Sequence, residues 1–97
     1  MYARVTTFQI EPAKLDEALE VSRGSILPAM KQQQGFKAVL TMVDRQTGKA
    51  TSITLWDTEA DLKTGENSGY YQQQVSKLAS FLTTPPVRET YEASLDL

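Results

Sequence analysis

Two helix-period segments, each bracketed by strand-like runs, constrain the fold of this chain more than any other feature. Leu15, Ala18, Leu19, Ser22, Ile26, Leu27 and Met30 recur at three- and four-residue steps, the signature of an amphipathic helix. Tyr71, Val75, Leu78 and Leu82 repeat the pattern at steps of four, three and four. Residues 2–10, rich in Val, Thr, Tyr and Phe, suit a pleated surface. Residues 36–44 and 50–57 read as two more strands joined by the turn Arg45-Gln46-Thr47-Gly48-Lys49, and residues 87–95 as the last. The order is strand, helix, strand, strand, helix, strand. It predicts a ferredoxin-like α+β fold: a four-stranded antiparallel sheet with both helices on one face.

Local punctuation sharpens this reading. Pro12 fits the first turn of the first helix, where its missing N–H costs nothing. Gly24 weakens that helix, and Pro28 must kink or restart it. Gly35 stands where a left-handed cap is wanted. Thr58 with Asp61 three residues later makes an N-cap with a carboxylate at the third helical position. A short helix from Glu59 to about Thr64 is then expected, interrupted at Gly65-Glu66-Asn67 and restarted at Ser68. Thr83-Thr84-Pro85-Pro86 stops the second helix.

The strands are not amphipathic in a simple way. By alternation, Phe36, Ala38, Leu40 and Met42 share one face, and Val39 and Val43 share the other with Lys37 and Thr41. Ile53 and Leu55 likewise oppose Thr54 and Trp56. A solvated sheet face would alternate more cleanly. Two partly apolar faces predict helices on one and a second subunit on the other, so a homodimer is expected.

Composition bounds the chemistry. A chain of 97 residues is one domain, 1–97, long enough to hold a core without staples. It has no cysteine and no histidine. That removes disulfides, thiolate nucleophiles, Ser-His-Asp relays, His-ligated haem and most transition-metal sites. No metal and no cofactor is expected. Ten basic and twelve acidic residues leave a net charge of −2, with the bases scattered. No nucleic-acid partner is expected from that pattern. No apolar run approaches the length of a membrane span, and the start of the chain lacks a charged stretch followed by an apolar one. The expected address is the cytoplasm.

Four segments resemble the antibiotic biosynthesis monooxygenase-like (ABM) proteins of the dimeric α/β-barrel superfamily. They are Ile26-Leu27-Pro28-Ala29 leading to Gly35-Phe36; Leu55-Trp56-Asp57-Thr58-Glu59-Ala60-Asp61-Leu62; Ser68-Gly69-Tyr70-Tyr71; and Pro85-Pro86-Val87-Arg88-Glu89-Thr90-Tyr91. Their order and spacing carry the resemblance over nearly the whole chain. It implies a pocket between helices and sheet and a cofactor-independent monooxygenase acting on a small or polycyclic aromatic. Such a substrate, once deprotonated, itself supplies the electron to dioxygen. The alternative is a non-catalytic dimeric ligand-binding or regulatory module on the same scaffold. Relatives that degrade haem carry a histidine ligand in the second helical segment and an asparagine in the first strand. Gly65 or Tyr70 and Thr6 or Thr7 stand there instead, which argues against haem.

On this resemblance the candidate catalytic residues are Trp56, Tyr70 and Asn67, and the candidate substrate-binding residues are Trp56, Tyr70, Tyr71 and Tyr91. Tyrosine and asparagine donate hydrogen bonds to an oxyanion, and tryptophan stacks and donates through its indole N–H. Each also has a plain reading. Trp56 and Tyr71 suit a core, Asn67 a turn beside Ser68 and Gly69, and Tyr91 the core or a dimer contact. Trp56 and Tyr70 are the pair expected to line the cavity together. Arg88 and Glu89 read as surface charges, and Gln32-Gln33-Gln34 and Gln72-Gln73-Gln74 as solvated helix surface.

Overall fold

The computed structural model describes residues 1–96. Strands β1 (Tyr2–Gln9), β2 (Phe36–Val43), β3 (Lys49–Trp56) and β4 (Val87–Glu92) form one sheet in the order β2-β3-β1-β4. Every neighbouring pair is antiparallel. This is the ferredoxin-like α+β arrangement. The first helical segment comprises α1 (Leu15–Val21) and α2 (Leu27–Lys31), and the second comprises α3 (Glu59–Asn67) and α4 (Tyr70–Ser76).

The first helix enters through a 3-10 turn, Pro12–Lys14, with the proline at its start. It then widens into a π-helical turn, Ser22–Ile26, where the Leu27 N–H donates to the Ser22 carbonyl five residues back. Pro28 explains the widening. It lacks an N–H, and its ring would crowd the carbonyl of residue 24 in a regular helix. Pro28 therefore restarts a helix, as its position predicts.

Gly35 takes a φ of +81°. Its carbonyl accepts the Asp57 N–H at 2.8 Å, and a Cβ there would collide with the Asp61 side chain. Thr58 caps α3, its hydroxyl accepting the Asp61 N–H at 3.1 Å. The helix does not break at Gly65. It runs to Asn67 and ends at Gly69, whose φ is +86°. Gly65 is buried against Arg4 and Tyr70, and that packing outweighs its poor helix propensity. The stripe Tyr71, Val75, Leu78, Leu82 does turn inward, but regular helix ends at Ser76 and a 3-10 turn, Ala79–Phe81, carries the chain on.

The core lies between the sheet and the helices. Phe8, Ile10, Leu15, Ile26, Ala50, Trp56, Leu62 and Leu78 form it, with Trp56, Leu15 and Leu62 almost wholly enclosed. Each such side chain contributes roughly 1.5–3 kcal/mol relative to exposure. One strand reading changes. A bulge between Phe36 and Ala38 shifts the β2 register, so Phe36 pairs with Trp56. Its ring meets the Trp56 ring edge-on, with centroids 5.9 Å apart. Phe36 thus packs on the helix side, away from Leu40 and Met42, because an extra residue in a strand reverses the parity behind it.

Among the described residues nothing covers the other sheet face. Leu40, Met42, Val87 and Tyr91 are 56%, 46%, 58% and 50% exposed. Their strand registers place them on one side with Val5, Ile53 and Leu55.

Candidate functional site

A cavity of about 80 Å³ lies between the helix-facing side of the sheet and the two helical segments that cover it. Its walls come from β1 and β3 below and from α1, the π-helical turn, α2 and α4 above. Alternation along β1 sends Arg4, Thr6, Phe8 and Ile10 to this side. The Phe8 and Ile10 end is apolar, closed by Leu19, Ile26 and Leu78. The other end is polar, with Arg4, Thr6, Thr54, Tyr70, Tyr71 and Gln74.

The polar end is built around a buried arginine. Arg4 is 3% exposed. Its Nε donates to Glu66 Oε2 at 3.0 Å and its Nη2 to the Leu62 carbonyl at 2.8 Å. Its guanidinium carbon sits 5.3 Å from the Trp56 ring centre and 4.8 Å from that of Tyr71. Arg88 covers Tyr71 at 4.9 Å and approaches the same Glu66 oxygen at 3.8 Å. Two cations therefore share one carboxylate and one phenol ring. The Tyr71 hydroxyl is 3.1 Å from the Thr6 hydroxyl, which fixes its ring between them.

Tyr70 differs from its neighbour. Among the described residues its hydroxyl is the one buried side-chain polar atom with no hydrogen-bond partner. Burial pushes the phenol above its ordinary range, with Arg4 pulling partly the other way. The hydroxyl is thus a protonated, unspent donor at neutral pH. A native fold rarely leaves such a group alone without a use for it.

The sequence candidates separate accordingly. Tyr70 and Tyr71 line the cavity. Trp56 lies outside its lining, which corrects the pairing of Trp56 with Tyr70 on one wall. It is 1% exposed, and its indole N–H donates to the Thr54 hydroxyl at 2.9 Å. Its ring instead backs Arg4. Asn67 is the exposed last residue of α3 and does not reach the cavity. Tyr91 points from the uncovered sheet face, its hydroxyl donating to Glu89 Oε2 at 2.6 Å. It too lies away from the cavity.

Other residues enter the site that the sequence reading left out or placed on the surface. Arg4 shares strand parity with Phe8 and Ile10, and a charge in line with core residues was the available signal. Arg88 is stacked on Tyr71 rather than being a free surface charge. Gln74 is 8% exposed on the cavity wall, not solvated helix surface. It accepts from Lys77 Nζ at 2.7 Å, and Lys77 also donates to Ser25 at 2.8 Å, tying α4 to the π-helical turn. Glu66 gave no signal, because its meaning depends on where β1 places Arg4.

Among the described residues no cluster of three or more His, Cys, Asp or Glu side chains could hold a metal ion. No helix among them is long and apolar enough to cross a membrane.

No family model matches the chain. Two proteins of Mycobacterium tuberculosis, the uncharacterized proteins Rv2558 and Rv2557, are each 33% identical to it over 58 residues, or 60% of this chain. The chain spans about a quarter of the length of these curated relatives. Solved structures align over nearly its whole length. A monooxygenase from the gene ActVA-Orf6 of Streptomyces coelicolor, in complex with the ligand nanaomycin D, superposes with a TM-score of 0.80 at 16% identity, covering 99% of this chain and 89% of that one. Rv0793 of M. tuberculosis gives 0.73 at 17%, covering 99% and 96%. An antibiotic biosynthesis monooxygenase gives 0.76 at 18%, covering 98% and 100%. The fold is that of the antibiotic biosynthesis monooxygenase-like proteins.

Proposed function

We propose that this chain is a cofactor-independent monooxygenase for a small hydroxylated aromatic, held in the cavity between sheet and helices. One observation carries the reading: a largely apolar cavity with an unspent tyrosine donor at its polar end. The likeness to a monooxygenase that binds nanaomycin D supports it.

The size of the cavity favours the small end of the substrate range. An apolar cavity of roughly 150 Å³ holds benzene. At about 80 Å³, this one takes a single ring with modest widening at its mouth, and a polycyclic ligand would displace much more. In the reaction, one atom of dioxygen enters the ring carbon para to the hydroxyl. The other leaves as water, with the ring hydrogen and the hydroxyl hydrogen, and a quinone remains. The ring supplies the electrons. The Tyr70 hydroxyl donates to the substrate oxygen as negative charge develops there, a contribution that grows toward the transition state. Phe8, Leu19 and Ile26 exclude water from the ring.

A second reading has its own support. Among the described residues no carboxylate lines the cavity, so no side-chain base of that type stands beside a bound ring. A non-catalytic ligand-binding module would need none. Guaiacol with isotope-labelled dioxygen separates the two. Turnover should consume one dioxygen per quinone, place label in the new carbonyl, and fall in Tyr70→Phe. Saturable guaiacol binding with no oxygen uptake would leave the binding module as the better account. In either case the proposed assembly is a homodimer through the uncovered sheet face.

A further inference from the structure

The polar end of the cavity is lined by one buried cation, Arg4, whose carboxylate partner Glu66 is also approached by a second arginine, Arg88. Arg4 and Arg88 are both cations, and among the described residues Glu66 is the one carboxylate bonded or paired to either. Tyr71 lies under the Arg4 guanidinium and Tyr70 lines the cavity beside it, and both are phenols. The layer behind Arg4 is the Trp56 ring, which attracts a cation but supplies no countercharge. Arg4 and Arg88 together outnumber Glu66 by one positive charge, and the surplus lies toward the half-exposed Arg88, outside the cavity lining. A buried cation usually has its own counter-ion, because desolvation makes an uncompensated charge costly. Here the counter-ion is shared between two arginines.

The unspent Tyr70 hydroxyl is a second, independent observation. It is buried in the same cavity lining as Arg4, and Arg4 Nη2 and Tyr70 Cδ1 each stand 3.5 Å from the point a Cβ on Gly65 would occupy. A hydroxyl donor beside a guanidinium, with no acceptor of its own, is half of a recognition pair whose other half is an oxygen bearing negative charge.

We infer that Arg4 and Tyr70 form a monoanion site, which selects planar ligands whose oxygen is ionised over their neutral isosteres. Arg88 and Glu66 set its strength by adding and subtracting charge. The inference rests on the cavity being a ligand site, but not on any reaction there. The recognised chemistry is an sp² oxygen anion on an aromatic ring, which an ionised phenol or an aromatic carboxylate both supply. Arg4 is placed to work at close range, since its ring-facing position between Trp56 and Tyr71 keeps bulk water from screening it.

The test compares charged and neutral ligands of the same shape on the wild-type chain. The probes are para-nitrophenol against para-nitroanisole, and benzoate against benzamide, followed by quenching of Trp56, the one tryptophan, which lies behind Arg4. Para-nitrophenolate should bind roughly tenfold or more tighter than para-nitroanisole, the scale of a hydrogen bond to a charged group. The preference should fade as pH falls below the phenol's own pKa. Whichever anion shows the larger ratio over its neutral partner identifies the natural head group.

Two variants change the charge in opposite directions. Arg88→Gln, at a half-exposed position, should reduce the anion preference severalfold. Glu66→Gln keeps an acceptor for Arg4 and raises the net charge, so it should tighten the anion and leave para-nitroanisole unchanged. A purely structural Glu66 would instead weaken both probes together. Equal binding of charged and neutral probes by the wild-type chain overturns the monoanion site and leaves the ligand cavity standing. Failure of every probe to bind overturns both.

Discussion

Tyr70 and Tyr71 are adjacent tyrosines with opposite bookkeeping, and that contrast is testable one hydroxyl at a time. The Tyr71 hydroxyl is bonded to Thr6 inside the fold, so Tyr71→Phe should cost about 1 kcal/mol or somewhat more by stranding Thr6. The Tyr70 hydroxyl has no partner to strand, so Tyr70→Phe should leave the melting temperature unchanged or slightly higher. Thermal denaturation of the two variants side by side decides it. A large loss in Tyr70→Phe would mean that its hydroxyl is bonded after all. Alkaline pH gives a second reading of the same group. Burial raises the Tyr70 phenol, so the folded state holds its proton longer than the unfolded chain does. Stability from this residue is therefore intact below the ordinary tyrosine value of about 10, and is lost as pH climbs through the raised folded value. The wild-type chain should lose stability more steeply than Tyr70→Phe across that alkaline window; parallel curves would contradict it. At this scale the sequence pointed to the tyrosines but not to Arg4 or Glu66. The Ser68-Gly69-Tyr70-Tyr71 segment is a local signal. A charge pair 62 residues apart, with the first helical segment and the β2–β3 hairpin between its members, has no local signature until the strand pairing is known.

At the scale of elements, the glycines show which local rules held. Gly48 and Gly65 make opposite predictions. Gly48 has a φ of +79°, and a Cβ there would drive into the Ile10 carbonyl, whose residue bonds back to Gly48 through its N–H at 2.9 Å. Gly48→Ala should destabilise strongly and disturb the β2–β3 hairpin. Gly65 sits inside α3, and its missing Cβ would meet Arg4 Nη2 and Tyr70 Cδ1 at 3.5 Å, an ordinary contact. Gly65→Ala should therefore stabilise by roughly 0.5–1 kcal/mol through helix propensity. Urea titration distinguishes the two, and a marked loss in Gly65→Ala would show that the Arg4 pocket cannot yield. The four strands, their order in the chain and both helical segments were legible in the sequence, because periods of two and of three to four leave different patterns. The break at Gly69 rather than Gly65 was not. Both glycines interrupt the pattern equally well on paper, and the buried packing of Gly65 decides between them. The Phe36 face was hidden for a related reason. A bulge adds one residue to a strand without any mark in its composition, and every parity argument before it then reverses.

For the whole molecule, the uncovered sheet face sets the expectation. Leu40 and Met42 on β2, Ile53 and Leu55 on β3, Val5 on β1, and Val87 and Tyr91 on β4 put apolar side chains on all four strands of one surface. Monomeric proteins seldom leave so continuous an apolar sheet face in water. Sheet against sheet is the arrangement that buries it, and a second copy of the chain presents the same surface, as a two-fold interface requires. The dimer should run on a sizing column with light scattering at twice the 10.8 kDa of the chain. Its interface should bury on the order of 2,000 Å² in total, in the range of obligate dimers. Leu40→Lys tests the face directly. Leu40 is 56% exposed in the single chain, so the substitution removes little from the intramolecular core. A lysine there would place an unpaired charge in a desolvated seam. The variant should shift to monomer at micromolar concentration, and lose thermal stability in a concentration-dependent way, because dimerisation adds to folding by mass action. The control Glu17→Lys, at an exposed position of α1 on the opposite side of the sheet, should change neither. If the wild-type chain runs as a stable monomer at every concentration, or if Leu40→Lys leaves the mass at twice the chain, the uncovered face is not the seam. A dimer that survives Leu40→Lys would have to form elsewhere.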